Sequence, residues 1–190
     1  MEIGVSPLPR VTQILAATGL APDFSRVDPA VLEAARARGV AVHAAIEAHQ
    51  YGYLDQPIDL ETAGYFYAYL KFLSDSGHEP IVSELEVIHP MWGYVGHPDR
   101  VGWLSGRRVL LDWKTGEAVD LDAAGRQLAG YRLAYHAMHP ETPIDAVAVV
   151  QLREDGTYRY HEITRLPHHE QVFLAALVVY QAQQRKGVPC

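Results

Sequence analysis

Two aspartates and a lysine on adjacent extended segments are the residues here whose types and spacing could do chemistry. Gly93-Tyr-Val-Gly-His-Pro-Asp99-Arg-Val is followed, thirteen residues after its aspartate, by Leu111-Asp112-Trp113-Lys114-Thr115-Gly116. Alternate side chains of a strand share a face, so Asp112 and Lys114 project together while Trp113 turns to the other side. Asp99 stands near the start of the preceding apolar run, and a tight turn at Ser105-Gly106 would return the chain so that the two carboxylates lie close together. Such a pair suits a hard cation such as Mg2+, which takes carboxylate oxygens and keeps waters and substrate phosphate as its other ligands. The Lys114 ammonium is then placed to orient an attacking water or to offset charge building on a phosphorane. An Asp-x-Lys at a strand end is, by itself, more often a solvated pair than a catalytic one, so its neighbours decide.

Two helical faces supply those neighbours. Gly39, His43 and Glu47 recur at four-residue spacing and share one face, with Gly39 letting another group approach His43 closely. Gln127 and Tyr131 are likewise four apart, with Tyr135 continuing the face. Glutamine and tyrosine can donate hydrogen bonds to phosphate or to an ordered catalytic side chain. The plainer alternatives are a half-buried histidine and a tyrosine stripe laid on a sheet.

The elements that must position these groups are legible from periodicity and punctuation. Residues 10–18 read as a short helix closed by Gly19, and Asp28-Pro29 starts a longer one over about 29–49. Asp59 caps a third over 60–76, with Gly77 beyond its end and an apolar stripe of Tyr65, Phe66, Tyr69, Leu70 and Leu73. Strands are expected at 80–89, 94–104 and 109–114 as an antiparallel meander. Asp120 or Asp122 then starts a helix to about His136, and 144–152 is a buried strand rich in Val and Ala. Asp155-Gly156 turns the chain into 157–163, and Pro167 opens a last helix to about Lys186, with Gly187 and Pro189 as stop signals.

Bulk properties exclude several classes. With 190 residues, 48% apolar and 21% charged, one domain spanning 1–190 with a proper core is expected. No window approaches a membrane span and no basic segment leads into an apolar leader, so a cytoplasmic protein of a bacterial or phage-infected cell, without membrane partners, is expected. Cys190, the single cysteine, rules out an internal disulfide and any four-cysteine zinc or iron-sulfur site within one chain. Ten histidines occur without His-Glu-x-x-His or His-x-His, and His168-His169 opens a helix, so most are expected at the surface or in caps. A net charge of -7 argues against nonspecific coating of nucleic acid. A bound cation would reverse the sign locally, with Arg36, Arg38, Arg107, Arg108, Arg126 and Arg132 available for phosphate contacts.

Arg38-Gly39 with His43 and Glu47, then Glu84, Gly96 to Asp99, Asp112-Trp-Lys-Thr-Gly116 and Gln127-Leu-Ala-Gly-Tyr131 resemble, in this order, the RecB-like branch of the PD-(D/E)XK nuclease superfamily. The motifs cover residues 10–136, and the order of helices and strands extends the resemblance to nearly the whole chain. The spacing of Glu84, Asp99 and the Asp112 segment is similar to that of small stand-alone members found in bacteriophage genomes. The resemblance implies an α/β (mixed α+β) fold with a restriction-endonuclease-like core, a central mixed sheet flanked by helices. It implies that Asp99 and Asp112 bind Mg2+ or Mn2+ through their carboxylates, with the Trp113 backbone carbonyl and His43 completing the site. Lys114 becomes the catalytic lysine beside the two aspartates. Glu84 matches a position that supports a second metal in some relatives, with Glu86 as its competitor. Gln127 and Tyr131 match the pair that holds DNA or the active-site residues, and Arg38 contacts substrate.

The activity implied is metal-dependent hydrolysis of DNA, foremost by an exonuclease in end processing, recombination or repair that leaves a 5′-phosphate. An endonuclease or flap- or junction-cutting enzyme on the same core, and a catalytically silent DNA-end-binding module, are the alternatives. Relatives with an iron-sulfur cluster need cysteines this chain lacks. No Gly-x4-Gly-Lys-Ser/Thr loop is present, so no nucleotide cofactor or built-in motor is expected, and unwinding falls to a helicase or recombinase partner or to the duplex end. Oligomeric state is left open.

Overall fold

The structure, a computed structural model, describes residues 8–53 and 58–185; the expected stop signals Gly187 and Pro189, and Cys190, lie outside them. Two of the long helices start on a single capping side chain. After a short α1 (Val11–Ala17) followed by left-handed Gly19, α2 (Pro29–Gln50) begins on Asp28. The Asp28 Oδ1 accepts from the amides of Ala30 at 2.8 Å and Val31 at 3.4 Å, two of the donors that a helix start leaves unpaired. α3 (Leu60–Ser76) follows Asp59, whose side chain makes no capping bond, and ends on left-handed Gly77.

The strands depart from expectation in one place. The run 80–89 is two strands, β1 (Glu79–Ser83) and β2 (Val87–His89), and the run 94–104 is two more, β3 (Tyr94–Gly96) and β4 (Arg100–Leu104). Both breaks fall at one level. Glu84 adopts a φ of 49° and its amide donates to the Asp99 carbonyl at 3.2 Å, while Pro98 has no N–H with which to extend a ladder. β2 and β3 therefore pair as a separate hairpin that leans on α4 (Leu121–Met138). That helix starts on Asp120, bonded to the Ala123 amide at 2.9 Å, which decides between the two candidate caps.

The main sheet has five strands in the order β1-β4-β5-β6-β7, with β5 (Arg107–Lys114), β6 (Ala146–Leu152) and β7 (Tyr158–Glu162). β5 and β6 run parallel and the other pairings are antiparallel, so the sheet is mixed. The expected meander survives as β1-β4-β5 with the hairpin folded out of it. A parallel pair needs a crossover, and α4 provides it. The last helix, α5, spans Leu166–Arg185.

Strand alternation sorts β5 between two cores. Leu110 packs with Leu128 of α4 and Phe173 of α5, whereas Leu111 and Trp113 pack with Val42 and Ile46 of α2 and Tyr69 and Phe72 of α3. The sheet is thus covered by α1, α4, α5 and the hairpin on one face and by α2 and α3 on the other, a mixed α/β architecture. Trp113 meets Tyr69 and Phe72 edge-on at 5.4 and 5.7 Å, pairs worth about 0.5–1.5 kcal/mol each beyond their buried area.

Two histidines, His78 and His169, are exceptions to the surface or capping role expected of most. His169 is buried because Gly125 of α4 admits its ring where a Cβ would lie 2.7 Å away. His78 is buried under β4, where desolvation and nearby Arg100 push its pKa down to about 4. Among the described residues no helix is long and apolar enough to cross a membrane.

Candidate active site

The paired breaks put Glu84 and Asp99 against one another, and His43 reaches the same point from the middle of α2. One donor atom from each of the three lies within 4.8 Å of the others. Glu84 reaches the group because its left-handed backbone, which costs a non-glycine residue about 1 kcal/mol or more, turns it out of β1. It is therefore not a strand residue. Its neighbour Glu86 points elsewhere, to His97 at 3.3 Å, so backbone conformation brings Glu84 and not Glu86 to the cluster.

Trp113 links the cluster together through its main chain. Its amide donates to Asp99 Oδ2 at 2.7 Å, and its carbonyl lies 3.2 Å from His43 Nε2. With Nε2 donating to that carbonyl, His43 Nδ1 presents a lone pair to Asp99 Oδ1 across 3.6 Å, too far for a hydrogen bond. Two ligand atoms of a Mg2+ octahedron sit about 3 Å apart, so a small closure would seat a cation between them.

Asp112 and Lys114 share the α4 face of β5, as strand alternation requires, but Asp112 stands outside the three-residue group. Its Oδ2 lies 2.8 Å from Lys114 Nζ without the alignment of a hydrogen bond, and its Oδ1 accepts from Gln127 Nε2 at 3.2 Å. The same Gln127 nitrogen is 3.0 Å from the Tyr131 hydroxyl. Gln127 thus joins the Asp112 carboxylate to Tyr131, and Gly96 belongs to this arrangement. A Cβ there would lie 2.4 Å from Tyr131 Cδ1, so only glycine leaves the ring its place. Gly39 carries no such constraint, since an added Cβ would meet Thr115 Oγ1 at an ordinary 3.8 Å.

The electrostatics follow from burial. Desolvation and then the Asp112 charge push the Asp99 pKa up to about 7, against the pull of His43 and the Trp113 amide. Burial acts to lower the Lys114 pKa, but Asp112 and Asp99 outweigh it and the net direction is up, so the ammonium stays charged. Burial, then both aspartates, raise the Tyr131 pKa, keeping its hydroxyl a neutral donor. Glu84 is raised by desolvation and by Glu47, with His43 acting against them. An imidazole and two carboxylates converging where burial and like charge push both carboxylates up fit a divalent cation by donor chemistry and by electrostatics.

The expected arginine contacts are largely redirected. Arg107 is bidentate to Glu162 at 2.9 and 2.7 Å, Arg108 lies 4.8 Å over Trp103, Arg126 donates to the Leu20 carbonyl at 2.9 Å, and Arg132 pairs with Glu170. Arg36 has a long 3.9 Å contact with Glu33 at the surface. Arg38 lies 5.3 Å over Tyr65 with Nε unpartnered, and Tyr65 lines a cavity of 350 Å³ with Thr115 and Gly116. Beside the cluster a second cavity of 290 Å³ is walled by Arg10, Thr12, Glu84, Gly96, His97 and Tyr131. Arg10 and Thr12 had no signal in their spacing; they arrive because Pro9 and Arg10 run alongside Val95.

A mixed sheet thus carries a carboxylate-imidazole cluster at its broken edge and an Asp-x-Lys pair beside it. The model of the PD-(D/E)XK nuclease superfamily matches residues 15–187, and the chain belongs to that superfamily. No curated protein sequence matches it. Among solved structures it is similar to LHK-Exo, an alkaline exonuclease from Laribacter hongkongensis, at 18% identity and a TM-score of 0.36 over 94% of this chain and 93% of that one. The LHK-Exo complex with dAMP gives 16% and 0.36 over 94% and 92%, and SSO0001 gives 13% and 0.35 over 76% and 71%.

Proposed function

We propose that this protein is a divalent-metal-dependent DNA nuclease, an exonuclease of DNA end processing, recombination or repair, built as one domain. The observation that carries the metal requirement is the convergence of His43, Glu84 and Asp99 donor atoms within 4.8 Å, beside Lys114 held 2.8 Å from Asp112. His43, Glu84 and Asp99 would hold Mg2+ or Mn2+, with the Trp113 carbonyl and Asp112 at the margin of the site. When bound, the cation supplies Lewis acidity toward the scissile phosphate and makes a coordinated water more acidic.

The side chains have separable roles. Lys114, kept protonated by two aspartates, acts as a donor that orients water or offsets phosphorane charge, and not as a general base. Gln127 fixes the Asp112 carboxylate and Tyr131 together, so that Asp112 is presented to Lys114 in one orientation. Tyr131 lines the 290 Å³ cavity, and its hydroxyl is a neutral donor suited to a backbone phosphate. With Arg107, Arg108, Arg126 and Arg132 engaged by groups of the chain itself and a net charge of -7, tight DNA binding would depend on the cation.

The exonuclease assignment follows the RecB-like order of motifs, and without a phosphate-loop motor of its own the chain would work at ends opened by a helicase or recombinase. Incubation with Mn2+ of end-labelled linear duplex and of covalently closed circles separates the readings. Mononucleotide release from linear DNA with intact circles is expected; efficient nicking of circles would show an endonuclease, and no cleavage of either would leave a binding module.

A further inference from the structure

We propose that Arg100 is a positioning residue of the candidate metal cluster: its buried guanidinium clamps Trp113, the residue whose main chain holds both Asp99 and His43. The inference rests on the metal-site reading above. Arg100 follows Asp99 directly, and it is 1% exposed. Among the described residues it has no carboxylate partner; Nη2 donates to Tyr69 Oη at 3.3 Å, and Nε has no hydrogen-bond partner. A buried cation without a counter-ion is strongly disfavoured unless its surroundings offset the charge. Two surroundings do so here.

The first is the face of Trp113, with the guanidinium carbon 5.7 Å from its ring. Arg100 thus presses on the side chain of a residue whose amide and carbonyl face Asp99 and His43 at 2.7 and 3.2 Å. The second is the acidic cluster itself, whose Asp99 is the residue directly before Arg100. His78, which lies beside Arg100 as Tyr69 does, is held neutral by burial and by this same cation, so it adds no competing positive charge.

A second connection reaches the metal cluster from behind. Tyr69 Oη, which accepts from Arg100, also lies within hydrogen-bond distance of His49 Nδ1, at 3.3 Å. His49 is on α2, the helix that carries His43. The path Arg100, Tyr69, His49 therefore ties β4, which begins right after Asp99, to the helix that delivers the opposing ligand. It sets the same separation that the Trp113 main chain sets. Partners that orient metal ligands from outside the first shell matter for affinity as well as for folding.

The test is calorimetric titration of Mn2+ into the full chain for wild type, Arg100→Met, Arg100→Lys, Tyr69→Phe and Leu152→Val, the last trimming the same core layer away from the path. Arg100→Met should weaken Mn2+ binding about tenfold or more, Tyr69→Phe by a smaller factor, and Arg100→Lys should recover most of the loss. Leu152→Val should lower Tm and leave Mn2+ affinity at the wild-type value. Wild-type affinity in Arg100→Met, or an equal loss in Leu152→Val, would overturn the proposal. Should Arg100→Met not fold, wild-type affinity in Tyr69→Phe would overturn it and weakened affinity would support it. Failure of the wild type itself to bind Mn2+ would overturn the metal-site reading instead.

Discussion

Replacing Asp99 with asparagine should stabilise the metal-free protein at neutral and alkaline pH. Desolvation and the neighbouring Asp112 raise the Asp99 pKa from 3.8 to about 7, so the folded state holds a proton there that the unfolded chain has released. Stability from this group is complete below the unfolded pKa and falls as pH rises through the folded one. About three pKa units correspond to a ceiling on the order of 4 kcal/mol. For a chain of this size each kcal/mol moves Tm by roughly 2–4 °C. Asparagine keeps an oxygen for the Trp113 amide at 2.7 Å and offers an N–H toward His43, without the charge. Thermal unfolding in a chelator, scanned from acid to alkaline pH, should show the variant and wild type nearly equal around pH 4. The gap should widen toward pH 7 and stay roughly 8–16 °C or less above it. Mn2+ should then raise the wild-type Tm and not that of Asp99→Asn. A variant no more stable than wild type in alkaline chelator, or a gap that ignores pH, would refute the reasoning.

Glu84→Ala should weaken Mn2+ binding by about tenfold or more, whereas Glu86→Ala, whose carboxylate faces His97, should leave it unchanged; parallel titrations of the two variants check the assignment. Gly96→Ala should destabilise the fold by about 1–3 kcal/mol and slow cleavage, because the new methyl displaces the Tyr131 ring; an unshifted denaturation midpoint would contradict that packing.

How much of this was legible in the sequence depends on how far each interaction reaches. Strand alternation placed Asp112 and Lys114 on one face and Trp113 on the other, and four-residue helical spacing paired Gln127 with Tyr131, because both signals are local. The strand break was not legible, since it depends on a hydrogen bond from Glu84 to Asp99 and on a left-handed backbone that no sequence rule assigns to glutamate. That same break separates Glu84 from Glu86 and brings Glu84 to Asp99. The grouping of ligands also differs in detail, with Asp112 turned to Lys114 and Gln127 and not into the tight cluster. Arginines available for phosphate found partners far along the chain, such as Glu162 for Arg107, and Arg100, which carried no signal of its own in the sequence, is the most deeply buried arginine among the described residues. Charge composition names the residues but not their partners.

The central claim is that a metal-bound carboxylate cluster and the adjacent Lys114 cut DNA. The most direct measurement is the single-turnover rate of Mn2+-dependent cleavage of an end-labelled duplex by wild type and by Lys114→Ala, with Mn2+ binding and circular dichroism recorded on the same samples. The account predicts that the variant folds and binds Mn2+ while its cleavage rate falls by about a hundredfold or more. Equal rates in the two proteins would contradict it.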